Sequence, residues 1–322
     1  MRASHILGLV AASALAACSG SDETTDPNPT VIQPVAPTQT SMVASGNFEG
    51  AMDAVASPDG SEFFFSAYRT DESGEAAIFR VSSAGGSAEA IATGEPLEDP
   101  SGLLMSCDGT ALYIADLGYA SGDADPDSEI ERAALYRLDL GSNALTTLGH
   151  DGIAEAAGLA FNSDCSTLYA SGYTEAGQPA LFTLSPAGGA ATIVAQGAPL
   201  ESPSGVYVDK DNIAWVMDHQ PSRQLGGALF SITADGTAGV VADGLTISTP
   251  AGVSLVAGGE IAVIPSRDED GNGQLITIST VTGERTEVPA PQIIEPAGIR
   301  TATQAQVMAV VDADGGAIHR AE

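Results

Sequence analysis

The sequence is poor in positive charge, in aromatic side chains and in cysteine, and each shortage closes off a class of function. It carries 11 Lys+Arg against 42 Asp+Glu, a formal net charge of −31, and Lys210 is its one lysine. A field of that sign repels nucleic acid and anionic lipid surfaces, so neither is expected as a partner, while cations and basic proteins are drawn in. A solvated acidic surface suited to a saline medium explains the same composition. Aromatics are only 5% of residues, so the core has to come from Val, Ile, Leu and Ala, which a chain of this length supplies in quantity. No apolar run is long enough to cross a ~30 Å bilayer core. Also missing are a G-x-S-x-G nucleophile turn, a phosphate-binding loop, zinc-ligand spacing and a Cys–His arrangement with a catalytic context.

What is present begins with a leader. Arg2 precedes an apolar run from Ile6 to Ala17, which as a helix reaches only ~18 Å and reads as a signal peptide. It ends Leu15-Ala16-Ala17-Cys18, which resembles the lipobox of bacterial lipoproteins. The resemblance implies that residues 1–17 are removed and that Cys18 becomes the lipidated N-terminus. Ser19 follows rather than the Asp that often retains such proteins at the inner membrane, so a lipid anchor in the outer membrane of a Gram-negative envelope is expected. Several acyl chains at ~0.8 kcal/mol per buried CH₂ would hold the protein there permanently. Residues 18–38, rich in Ser, Asp, Glu, Thr and Pro, read as the acylated Cys and a flexible tether.

From residue 39 to 322 the chain repeats. Inner strands begin at Asp53 or Ala54, Gly102, Gly158, Gly205, Gly252 and Gly298, spaced 49, 56, 47, 47 and 46 residues apart from Asp53 onward. Pro100, Pro203, Pro250 and Pro296 stand two residues before four of those glycines, where a strand can start without the missing N–H. Turns such as Ser57-Pro58-Asp59-Gly60 and Ser106-Cys107-Asp108-Gly109 follow, with Asp bonding its own backbone and Gly taking positive φ. Further strands alternate with period two, as in Ala77–Val81, Ala134–Leu138 and Ala228–Ile232. Short strands at this period predict an all-β fold, a six-bladed propeller of four-stranded antiparallel blades. The sixth copy stops at Glu322 without its fourth strand, and Thr40–Gly46 resembles the outer strands of other copies. Gln39 to Gly46 is therefore expected to complete the blade built from Pro296 to Glu322, closing the ring and removing its open edges.

The Pro-Ser-Gly-Val start and the apolar strands ending in Asp (Ile114-Ala115-Asp116, Val216-Met217-Asp218, Val310-Val311-Asp312) resemble NHL repeats and the six-bladed gluconolactonase and senescence-marker-protein family. That resemblance implies a metal-dependent hydrolase whose ligands project into the central channel, several from the position just before the inner-strand glycine. Those positions are Ser101, Ala157, Ser204, Ala251 and Ala297, with Asp53 the carboxylate of the first blade. One Asp among Ser and Ala falls short of the six or more oxygens that Ca²⁺ takes. A second resemblance, to streptogramin lyases, implies a general acid and base at the channel mouth, for which His219 beside Asp218, and His150, are the candidates. Loop histidines without a partner are more often solvated surface.

Carboxylate-rich loops offer another site. Asp268-Glu269-Asp270-Gly271-Asn272 matches the opening of an EF-hand loop, with oxygens from Asp268, Asp270 and Asn272, but Ser279 stands where the bidentate Glu belongs. Asp123, Asp125 and Asp127 form a looser version, and Asp312-Ala313-Asp314-Gly315 a shorter echo. A weak Ca²⁺ site and a plain turn rich in Asp, Asn and Gly are both open readings. These loops share a face with the connections between blades, which carry Glu98, Asp99, Glu155, Glu201 and Glu295. Without Cys18, two cysteines remain, Cys107 and Cys165, in corresponding turns of adjacent blades; a disulfide is expected there if their Cα atoms lie within ~7 Å. The expectation is a monomeric binding or scaffold propeller with an acidic face for a cation or basic partner, the alternative being a lactonase-like hydrolase or streptogramin-lyase-like enzyme.

Overall fold

The structure is a computed structural model, described here for residues 34–118, 132–220, 226–247 and 251–322. Six antiparallel sheets follow one another along the chain. Blade 1 comprises Ala54–Ala56, Glu62–Arg69, Ala76–Ser82 and Glu89–Thr93; blade 2 runs from Pro100 to Leu148, blade 3 from Ile153 to Gln196, blade 4 from Pro203 to Thr246 and blade 5 from Ser254 to Pro289. Blade 6 joins the two ends of the propeller: Thr40–Ser45 pairs with Ala317–Ala321, followed inward by Met308–Asp312 and Pro296–Thr301. Thr40 lies opposite Ala321 and Ser45 opposite Ala317, and the Glu322 N–H donates to Gln39 O at 3.1 Å. Strand exchange therefore closes the ring as the missing fourth strand of the last repeat requires. The one helical piece among the described residues is a short 3-10 turn, Ala257–Gly259.

The alternating pattern distributes the core over six seams. Phe63 and Phe65 pack toward blade 6 with Phe79 and Val311, while Phe64 points the other way, into the seam with Leu103 and Ile114 of blade 2. Tyr113 and Leu135 fill the seam between blades 2 and 3, Val206 and Phe230 that between 3 and 4, Met217 and Ile264 that between 4 and 5, and Leu275 and Ile299 that between 5 and 6. Both faces of each blade are buried, which is why the second strands read as nearly continuous apolar runs. Short residues suffice because two sheets pack face to face at each seam, so each seam is filled from both sides.

Two features differ from the sequence expectation. A further strand, Phe48–Glu49, pairs with Tyr68 and Arg69 at the edge of blade 1. Second strands also continue past the aspartate expected to end them, as Ala111–Gly118 and Ala214–Gln220, because that aspartate bonds an incoming connection while the ladder to the third strand runs on.

Recurring glycines mark where neighbouring inner strands touch. A Cβ on Gly205 would fall 2.6 Å from Ala251 O, and one on Gly102 or Gly158 would overlap the carbonyl of Ala157 or Ser204. Overpacking of this kind typically costs ~1–3 kcal/mol, so Gly158→Ala is expected to lower the unfolding free energy by that amount, read as a lower urea midpoint at unchanged m-value. An unaltered midpoint would show that the blades can spread apart at no cost.

Candidate functional site

The inner strands are laced together around the axis. Gly205 N–H donates to Ala251 O at 3.0 Å, Gly252 N–H to Ala297 O at 3.1 Å and Gly298 N–H to Met52 O at 3.2 Å. This register puts Met52, not Asp53, at the position before the glycine in blade 1, and Asp53 in the place of the glycine itself. Ser204 Oγ donates to Ala251 O at 3.0 Å and Ser101 Oγ lies 3.3 Å from Ala156 O; Ser171 Oγ donates to Ser204 O. The hydroxyls at the neck thus bridge blades.

Asp53 is buried, and its carboxylate accepts from Ala54 N at 2.9 Å and from Leu103 N of the next blade at 2.9 Å. Burial pushes its pKa up to about 6, against the pull of the Arg300 guanidinium and the two amides. Arg300, on the inner strand of blade 6, crosses the channel: Nη1 donates to Val206 O of blade 4 at 2.9 Å and Nη2 to Leu159 O of blade 3 at 3.1 Å. It is 8% exposed, so a fixed positive charge spans the axis. Sequence reasoning missed Arg300, although a signal existed: the corresponding positions are Val55, Leu104, Ala160, Tyr207 and Ser254, and Arg300 is the one charge among them. The lactonase-type metal does not fit here. The positions before the glycines offer Met52, Ser101, Ala157, Ser204, Ala251 and Ala297, without a carboxylate, and a guanidinium repels a divalent cation in the same low-dielectric space.

The strand-terminal aspartates hold the connections between blades. Asp116 accepts from Glu98 N at 3.0 Å and Asp99 N at 2.9 Å, and Asp312 from Ile294 N at 3.0 Å and Glu295 N at 2.9 Å. Asp218 does the same with Glu201 N at 3.0 Å and Ser202 N at 3.3 Å. It is 0% exposed, and burial raises its pKa to about 6 against those amide bonds. His219 is joined to Ser202 O through its backbone N–H at 3.0 Å, and His150 Nδ1 lies 3.2 Å from Leu148 O at the end of the preceding strand. No contact among the described residues brings the two histidines together. Inside blade 6, His319 is 0% exposed with Nε2 3.9 Å from Asp312 Oδ2; burial lowers its pKa, opposed by Asp312.

At the loop of blade 5, Asp268 Oδ1 accepts from Asp270 N at 3.0 Å and Asn272 N at 2.8 Å, and Oδ2 accepts from Asn272 Nδ2 at 3.0 Å. These bonds hold the Asp268 pKa below the usual carboxylate range. No group of three or more His, Cys, Asp or Glu side chains converges among the described residues. Asp123, Asp125, Asp127 and Cys18 lie outside the described residues. Cys107 and Cys165 are joined by a disulfide with Cα atoms 6.5 Å apart. Six cationic side chains are paired with carboxylates: Arg69 with Asp71, Arg80 with Glu89, Arg137 with Asp139, Lys210 with Asp211, Arg267 with Glu295 and Arg320 with Glu322. Arg285 and Arg300 bond carbonyls.

These features define a six-bladed β-propeller with a closed, self-bonded neck. No family model and no curated protein matches the chain. Among solved structures it is similar to a Bacteroides thetaiotaomicron protein of unknown function, at 15% identity and a TM-score of 0.61 over 90% of this chain and 72% of that one. It is also similar to virginiamycin B lyase from Staphylococcus aureus, at 13% identity and a TM-score of 0.52 over 88% of this chain and 98% of that one. TolB from Acinetobacter baumannii matches at 15% identity and a TM-score of 0.56, over 75% of this chain and 55% of TolB. At such identities the likeness is one of fold, and function rests on the site.

Proposed function

We propose that this protein is a non-enzymatic binding module, a monomeric propeller held by lipidated Cys18 at the outer membrane and presenting acidic connecting loops to a divalent cation or a basic protein segment. The observation that carries this reading is Arg300, whose guanidinium crosses the axis and bonds Val206 O and Leu159 O in the channel where a hydrolytic metal would have to sit. The excess of 42 Asp+Glu over 11 Lys+Arg, with Arg69, Arg80, Lys210 and Arg320 already paired to carboxylates, supports the sign of the partner, since what remains for long-range attraction is carboxylate.

The test is a titration of the whole mature chain with Ca²⁺, with an oligolysine and with an oligoglutamate, followed by calorimetry and melting. With a dissociation constant of ~1 mM, Ca²⁺ at about ten times that concentration stabilises by ~1.4 kcal/mol. The reading predicts a rise in Tm with Ca²⁺, binding of oligolysine that weakens with salt, and no response to oligoglutamate. Silence toward both cationic probes, or metal-dependent turnover of lactones, would sink it.

A further inference from the structure

The chain enters the propeller on one defined face. Ala257 N–H, in the turn joining the first two strands of blade 5, donates to Pro34 O at 2.6 Å, and Pro34, Val35 and Pro37 line a 350 Å³ cleft with Val307, Met308 and Arg320. Thr38 N–H then donates to Glu322 O at 2.8 Å before the closing strand begins at Thr40. All of these lie at the hairpin face, where first and second strands meet, opposite the connections between blades. We infer that the hairpin face of the propeller is turned toward the membrane and the connection face, with Glu201, His150, His219 and Asp268, is turned away from it to meet partners. This rests on the reading of Cys18 as the lipid anchor.

Length makes the direction a preference of the whole molecule. Sixteen peptide steps separate Cys18 from Pro34, at most ~55 Å of chain. The seven-residue strand Ile261–Arg267 makes a blade ~23 Å tall. To turn the other face to the bilayer, the chain would have to climb that height before it could reach the membrane, about two-fifths of its full reach, whereas the hairpin face can approach with none of that length spent. Adsorption does not compete with the tether. The hairpin tips carry Asp59, Asp108 and Asp164, whose pKa values are held down by hydrogen bonds from Ser57, Ser106 and Ser166 respectively. They stay ionised at neutral pH and are repelled by anionic headgroups, so the face hovers above the membrane.

The experiment places a donor fluorophore on a single added cysteine at either end of one blade. Glu260→Cys sits at the hairpin face of blade 5 and Glu269→Cys at its connection face; both side chains are exposed, and the two changes alter charge equally. The whole lipoprotein is reconstituted into phosphatidylethanolamine/phosphatidylglycerol vesicles containing an acceptor lipid. Donor fluorescence at position 260 is expected to lose more intensity than at 269. Equal losses, or the reverse order, with protein that floats with the vesicles would overturn the orientation and leave the anchor intact. Flotation unchanged by Cys18→Ser would instead overturn the anchor, and the orientation with it.

Discussion

Replacing Arg300 with methionine is expected to destabilise the propeller by about 3–5 kcal/mol, the range for removing one member of a buried charge pair. The guanidinium gives up two hydrogen bonds, to Val206 O and Leu159 O, each in the charged class worth ~1.5–3 kcal/mol. It also leaves Asp53 without the positive charge that opposes its burial. The pH dependence identifies the cause. Asp53 has a folded pKa of about 6 against 3.8 for the free side chain, so its protonated form is favoured by the fold. The stability it contributes is full below the unfolded pKa and is lost as pH rises through the folded one. In Arg300→Met the pKa climbs further and the loss extends to higher pH, so the deficit relative to the parent protein should be larger at pH 8 than at pH 5. Urea unfolding at the two pH values measures this, and Asp53→Asn in the Arg300→Met background should recover the pH-dependent part. Equal deficits at both would separate Asp53 from Arg300.

Loss of the Cys107–Cys165 bond is the other large effect expected. The link closes 58 residues of sequence and joins corresponding turns of blades 2 and 3. In the chain-entropy model a loop of that length is worth ~4 kcal/mol. Paired Cys107→Ser and Cys165→Ser changes should lower the urea midpoint accordingly, and reductant should bring the parent protein to the same value while leaving the variant unmoved. A parent protein indifferent to reductant would mean that the seam between these blades holds without the bond.

The ring was legible in the sequence because blade geometry repeats locally: Pro and Gly at the inner strand, Asp and Gly in the hairpin, and period two thereafter. The closing strand was legible for the same reason, since Thr40–Gly46 resembles the outer strands of other blades. The role of individual residues was harder to see. Asp218 has the look of a site residue in sequence, yet its oxygens hold the backbone of Glu201 and Ser202; a strand-terminal aspartate aimed at a loop and one aimed at a channel have the same neighbours in sequence. Asp53 was displaced by one position because it replaces a glycine, and only the pairing of Met52 O with Gly298 N–H fixes the register. Arg300 stands out in the repeat alignment as the one charge at its position, but its partners could not be assigned without the ring, because they lie 94 and 141 residues away. Contacts across a propeller axis join blades that no local pattern relates.

The central claim is that the axis belongs to Arg300 and not to a metal ion. Crystals of the mature protein grown with Mn²⁺ in place of Ca²⁺, with anomalous differences collected at the manganese edge, test it directly. The account predicts the Arg300 side chain across the channel on Val206 O and Leu159 O, with no anomalous peak on the axis. A peak there, held by Asp53 with Arg300 turned aside, would contradict it.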